Sequence, residues 1–234
     1  MSKSRSRMLA LVGFPAAFAL GCIPSARIVG RLKGDLDIAQ VGDRKPGAAN
    51  VTRSLGLGPG LVTAGIDMTK GYTVATVARA AGGGPTLVGA LAATPVGAHI
   101  AIVRGRGAAA ALGAAFAIDP AATGVVLVPI LGGTALKRAG LGVMVGALAL
   151  PLVSLALGHR RWAPWAATLP AMMAYARLRG SDGNATSLTP RVAWERFWFD
   201  RDPAVPAEAG DAETTPDAES PQDEAVGAGD STVV

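Results

Sequence analysis

The sequence predicts an all-α, polytopic membrane protein with about seven transmembrane helices, its N-terminus outside and its C-terminus cytoplasmic. Three observations lead there. Charged residues make up only 17 % of the 234 residues and the mean hydropathy is +0.37, whereas an ordinary soluble domain carries about 25 % charged residues. The apolar residues lie in long blocks instead of recurring at helical or strand spacing, as expected of segments solvated by lipid. The basic residues between those blocks also fall unequally on two sides, which orients the chain.

The same composition excludes several classes. Half of the residues are apolar and Gly plus Pro contribute 31 and 16, which excludes a disordered chain and a disulfide scaffold. Cys22 is the only cysteine, so there is no intramolecular disulfide and no cysteine-based metal site. The two histidines, His99 and His159, stand far apart without an HExxH pattern, which argues against a zinc or di-iron enzyme.

In chain order, the apolar blocks run over 8–28, 56–78, 85–103, 107–118, 120–136, 140–157 and 162–176. The first follows Lys3, Arg5 and Arg7 and ends Ala19-Leu20-Gly21-Cys22, so a cleaved lipoprotein signal is its alternative reading. Ala19 stands where such a signal usually has Leu, and six more blocks follow. Asp119-Pro120 divides the fourth block from the fifth. With seven spans, 15 basic residues fall inside and six outside, with Lys70 inside a span. Merging the fourth and fifth blocks gives ten against eleven, so the charge favours seven. Gly142 and Gly146 form a small-xxx-small pair suited to close helix packing. Trp162 and Trp165 open the last span, and Trp194 and Trp198 lie four apart, on one face of a short helix that either rests among headgroups or packs on the bundle. His159 reads as an outer-loop residue beside Arg160 and Arg161, and Cys22 as a small buried side chain.

The net charge of +5 conceals two regions. Residues 203–234 hold eight acidic residues and no Lys or Arg, leaving residues 1–202 at +13. We therefore expect a membrane domain over 1–202 and an acidic disordered tail over 203–234. A cationic membrane body suits anionic lipid and anionic substrates better than nucleic acid.

Three elements could carry chemistry on the inner side. The polar stretch 30–54 combines glycines that permit tight turns with Arg44, Lys45 and Arg53, which can face an anion. Asp67 and Lys70, one helical turn apart within a block, either mark a polar cavity or neutralise each other. Arg104-Gly105-Arg106-Gly107 opens the fourth block and either serves only as a cytoplasmic stop signal or, with free backbone N–H groups and guanidinium forks, cradles a phosphate.

Gly21-Cys-Ile-Pro24, Gly30-Arg-Leu-Lys-Gly34-Asp-Leu-Asp-Ile38, Val41-Gly42, Gly47-Ala-Ala-Asn50-Val-Thr-Arg53-Ser-Leu-Gly56 and Asp67-Met-Thr-Lys70-Gly71 resemble, in order and spacing, the bacterial acyl-phosphate:glycerol-3-phosphate acyltransferase family of the PlsY type. Downstream, His99 and Arg104-Gly-Arg-Gly107 stand where the family has Gly-His and a Lys-Gly-Gly-Lys-Gly stretch. The resemblance implies a multi-pass enzyme of the bacterial inner membrane. It would transfer an acyl group from acyl phosphate to the 1-hydroxyl of glycerol 3-phosphate, forming lysophosphatidate, without metal or cofactor.

Carried over position by position, it implies that Arg53 binds a phosphate, Asn50 hydrogen-bonds substrate or holds the loop, and Gly47 permits the turn. Arg106 stands for the family's lysine in the glycerol 3-phosphate site, flanked by Arg104, Gly105 and Gly107. Lys70 belongs to the substrate side, and His99 or a substrate phosphate takes the proton. The chain departs from the family in its first motif, where Asp43-Arg44-Lys45-Pro46-Gly47-Ala48-Ala49-Asn50 lacks a Ser, an Asn and a Thr. Asp43 there would repel a phosphate unless Arg44 or Lys45 neutralises it. The third motif is reduced to Arg177-Leu-Arg-Gly-Ser-Asp182, with Ala171 and Ala174 where His and Asn are expected. A non-catalytic homologue that binds lipid or acyl phosphate is one alternative, and a small transporter built around Asp67 and Lys70 another.

Overall fold

The computed structural model describes residues 3–180 and 188–201, and every regular element among them is helical. Helix α1 (Lys3–Gly21) ends where Pro24 cannot continue it, and α2 (Ser25–Gly34) begins on the far side. The first apolar block, expected as one span over 8–28, is therefore two helices. Short α3 (Ala48–Leu55) precedes the long α4 (Leu57–Ala80), so the stretch 30–54 is framed by helical turns and is not one continuous loop. Helix α5 (Pro85–Ala98) starts on a proline and runs on into a π-helical turn, His99–Val103, which Arg104 closes in the left-handed conformation at φ 63°.

Helices α6 (Ala108–Ile118) and α7 (Pro120–Ala135) are separate, joined at Asp119. Helices α8 (Ala139–Ala156) and α9 (Ala163–Leu178) complete the bundle. The chain resumes in α10 (Pro190–Trp194), which passes into a second π-helical turn, Glu195–Phe199. Lys3–Gly34, Pro85–Val103 and Ala139–Ala156 are long and apolar enough to cross a membrane by length and composition. Asp182 and the acidic stretch 203–234 lie outside the described residues.

Backbone proximity decides the packing. A Cβ on Gly71 would run into the Ala110 carbonyl and one on Gly113 into the Met68 carbonyl, so α4 and α6 cross in near contact. The Gly142–Gly146 pair does the same between α8 and α7, where a Cβ would meet the Pro129 and Val126 carbonyls. Val96, Ala110, Leu150, Leu169 and Met173 centre one core, and Ala75, Val88, Leu91, Ala114 and Trp162 a second. Ala26, Val29, Ile38 and Val51 fasten α2 and α3 to the intervening loop. Large apolar side chains such as Leu11, Leu61, Val77, Val128, Leu131 and Leu152 are exposed on the outside of the helices. Apolar surface on this scale suits contact with lipid tails. Cys22 is half-buried and not enclosed as expected.

Candidate active site

The loop between α2 and α3 is shaped by Asn50. Its side chain is buried, and its amide donates to the carbonyls of Ile38 and Val41, both at 2.9 Å. The Asn50 Oδ1 atom is buried without a hydrogen-bond partner among the described residues and lies where a Cβ on Gly42 would sit; Gly42 turns at φ 59°. The positive φ places the need for glycine at Gly42. Gly47, expected to permit the turn, has an extended φ of −158° that any residue adopts, and the space its missing side chain leaves is open. Its carbonyl accepts the amides of Asn50 and Val51 at 3.1 Å each, starting α3.

A chain of charges runs across the end of the bundle from this loop. Arg53 donates through Nη2 to the Asp43 carboxylate, whose other oxygen accepts the Lys45 amide at 3.2 Å. Asp43 is thus paired by Arg53, whereas the sequence suggested Arg44 or Lys45 for that task. The Lys45 ammonium instead reaches Asp200, meeting its carbonyl and, at 3.2 Å, its Oδ1. Arg106 Nε meets the same Oδ1 at 2.9 Å, while its Nη1 donates to the Ala176 carbonyl and, at 3.3 Å, to that of Gly180. Burial pushes the Lys45 ammonium below its ordinary range and the Asp200 carboxylate counters that, with Asp43 also favouring and Arg106 opposing the charge.

Arg104-Gly105-Arg106-Gly107 abuts the loop. A Cβ on Gly105 would collide with His99 Nε2 and sit 3.0 Å from the Pro46 carbonyl, so only glycine lets the two loops meet over the imidazole. Gly107, at φ 71°, opens α6. Arg104 is exposed. His99 itself is buried, with Nδ1 3.8 Å from Asp67 Oδ1 and no hydrogen-bond partner for that nitrogen among the described residues.

Asp67 and Lys70 resolve into a buried knot. The Lys70 ammonium donates to Asp67 Oδ1 and the Ile23 carbonyl at 2.6 Å each and reaches Ser25 Oγ at 3.4 Å, and Ser25 donates to the same carboxylate. Lys70, assigned to the substrate side, is fully enclosed and spent on tying the start of α2 to α4. Beyond Gly107 an apolar crevice lies among α6, α7, α8 and α9, lined by Ala108, Ala111, Val126, Leu150, Leu169 and Met173.

Of the expected positions, Gly105, Arg106 and His99 therefore come together, while Arg53 is linked to Arg106 only through Asp43, Lys45 and Asp200. Asn50 supports them from beneath, and Lys70 stands apart. Asp200 and Ser25 were not singled out from the sequence. Asp200 lies 155 positions from Lys45 and 94 from Arg106, and no local spacing encodes such a pairing. At the other end of α6, Asp119 caps α7 by accepting the Ala122 amide at 3.1 Å and also takes the Ser154 hydroxyl at 2.8 Å and His159 Nδ1 at 2.9 Å. His159, expected as a plain outer-loop residue, is part of that cap.

Comparisons with known proteins bear on this geometry. The family model described as Glycerol-3-phosphate acyltransferase matches residues 11–182. A glycerol-3-phosphate acyltransferase of Thermus thermophilus is 37 % identical over 153 residues, covering 62 % of this chain and 76 % of the relative. Glycerol-3-phosphate acyltransferase 2 of Moorella thermoacetica is 34 % identical over 161 residues, covering 66 % and 80 %. A crystal structure of PlsY, an integral membrane glycerol 3-phosphate acyltransferase, in its glycerol 3-phosphate form superposes with a TM-score of 0.67 at 28 % identity, covering 72 % of this chain and 88 % of that one. Its lysophosphatidic acid form gives 0.65 at 27 % identity.

Proposed function

The chain belongs to the glycerol-3-phosphate acyltransferase family, and we propose that it transfers a fatty acyl group from acyl phosphate to the 1-hydroxyl of glycerol 3-phosphate at the inner face of the bacterial cell membrane. Lysophosphatidate and phosphate are the products. The observation that carries this reading is the pair of cations Lys45 and Arg106 held on Asp200, with Arg53 on Asp43 of the same loop as Lys45, set next to an apolar crevice lined from Ala108 onward. Such a pairing suits two anionic phosphates and one acyl chain meeting at one point.

In the reaction, the substrate hydroxyl oxygen attacks the acyl carbon, the bond from that carbon to the phosphate oxygen breaks, and phosphate leaves with the bonding pair. Arg106 and Lys45 hold the glycerol 3-phosphate, Arg53 the leaving phosphate, and all three stabilise charge that grows in the transition state. A substrate phosphate takes the hydroxyl proton, since its second pKa lies near 6. His99, beneath Gly105, fixes the loop that carries Arg106.

The orientation we propose has seven spans with the N-terminus outside. It puts 15 basic residues on the inner side, where both phosphates would be bound. Residues 1–202 form the catalytic domain and 203–234 an acidic cytoplasmic tail. The test is acyl transfer by the purified chain and by its Arg53→Ala and Arg106→Ala variants. Loss of activity in both supports the phosphate assignments, and unchanged activity in both removes them. Ala171 and Ala174 in place of the family's His and Asn favour a second reading, a homologue that binds these ligands without turning them over. Binding of glycerol 3-phosphate without product would select it.

A further inference from the structure

The last described segment, 188–201, lies beyond the region that matches the family, 11–182, yet it is built into the site. Arg177 donates to the carbonyls of Phe197 at 2.7 Å and Gly140 at 2.9 Å, and Arg196 to that of Leu178 at 3.2 Å. A Cβ on Gly140 would meet the Phe199 carbonyl at 2.6 Å, so the π-helical turn lies against the start of α8. Asp200 closes that turn in the left-handed conformation at φ 54°, with the Arg201 amide bonded back to Glu195 at 3.3 Å. This bend presents both its carbonyl and its carboxylate to the same cations.

Resting on the acyltransferase reading above, we propose that Asp200 is a positioning residue of the phosphate site, holding the Lys45 ammonium and the Arg106 guanidinium side by side. One carboxylate oxygen serves both, at 3.2 Å and 2.9 Å. Lys45 and Arg106 are two nearly enclosed cations from distant parts of the chain, and without a shared anion their repulsion would drive them apart. With it, the trio keeps one net positive charge for an incoming phosphate. A displaceable plug fits less well, because the turn that leads into the bend is fastened by buried arginine bonds, from Arg177 to Phe197 and from Arg196 to Leu178.

The groups that face Lys45 are Asp200, Asp43 and Arg106, with Arg177 acting on Asp200 from α9. Burial lowers the Lys45 pKa and Asp200 opposes that. Removing Asp200 therefore lowers it further, and binding that needs the ammonium fails at a lower pH as pH rises.

The experiment is calorimetric binding of glycerol 3-phosphate to the full-length chain in detergent, as a function of pH, for wild type, Asp200→Asn, Asp200→Ala, Asp200→Glu and Arg106→Ala. We expect Asp200→Asn and Asp200→Ala to weaken binding by about tenfold or more, the usual scale of a lost charged hydrogen bond. Their alkaline limb moves to lower pH, and Asp200→Glu recovers most of the affinity. Asp200→Asn preserves size and bend, so it reports even where Asp200→Ala does not fold. Tighter binding in Asp200→Ala would overturn the proposal in favour of a plug, and unchanged affinity and pH profile in favour of mere scaffolding. Wild type and Asp200 variants binding alike while Arg106→Ala does not would sink the positioning role alone. Absence of binding by wild type, with a relative of proven activity binding alongside, would sink the site assignment with it.

Discussion

Asn50 and Arg106 show how much of the site depends on single polar side chains. Asn50 satisfies two carbonyls of a loop that has no sheet or helix to pair with, and buried carbonyls left unpaired cost about 1–3 kcal/mol each. Asn50→Leu should therefore destabilise the protein by about 2–6 kcal/mol and reduce acyl transfer with it; a melting curve in detergent unchanged from wild type would refute the clamp. Asn50→Asp should be at least as harmful, because a carboxylate would face the Ile38 and Val41 carbonyls. Arg106 uses Nε for Asp200 and Nη1 for two backbone carbonyls. A lysine carries the charge as one compact ammonium group and cannot span both directions. Arg106→Lys should thus raise KM for glycerol 3-phosphate well above wild type although the family itself carries lysine there, and steady-state kinetics with varied glycerol 3-phosphate decides it.

Among the elements, the joint between α6 and α7 and the crossing of α4 with α6 carry separate loads. Burial opposes ionisation of Asp119, but the Ala122 amide, the Ser154 hydroxyl and His159 outweigh it and hold the carboxyl below its ordinary 3.8. A depressed folded pKa means stability that is fully present above the unfolded value and disappears as pH falls through the folded one. Asp119→Asn should accordingly be less stable than wild type near neutral pH, and the gap should narrow as pH drops below 3.8; a gap of constant size in acid melts would contradict this. At the α4–α6 crossing, Gly71→Leu has no room between backbones. We expect a loss beyond the ~1–3 kcal/mol typical of overpacking, read as failure to yield monodisperse protein. These elements were largely legible in advance. Asp119-Pro120 left one helix or two open and the basic residues on either side decided for two, and Gly142 with Gly146 pointed to a tight crossing. The break at Pro24 was overlooked because apolar residues on both sides of it read as one block, and α3 was hidden by its short, half-polar sequence.

For the whole molecule, the cationic loops and the motif around Asn50 and Arg53 were visible because each is local in sequence. The partners were not. Which anion meets Lys45, which cation meets Asp43, and whether Lys70 faces substrate or Ser25 and Asp67 depend on contacts between distant segments, and spacing alone carries no information on them. Asp200 follows the short segment of Trp194 and Trp198, expected only to rest among headgroups or pack on the bundle, yet it meets the cations of two separate loops. What ties the molecule together is a membrane body that gathers positive charge at one end of an apolar crevice. Its function is tested most directly by incubating the purified full-length chain with acyl phosphate and labelled glycerol 3-phosphate and measuring lysophosphatidate. Product that requires both substrates and falls sharply in Arg106→Ala is expected. Product no greater than in a heat-killed control, beside an active family member assayed identically, would contradict it.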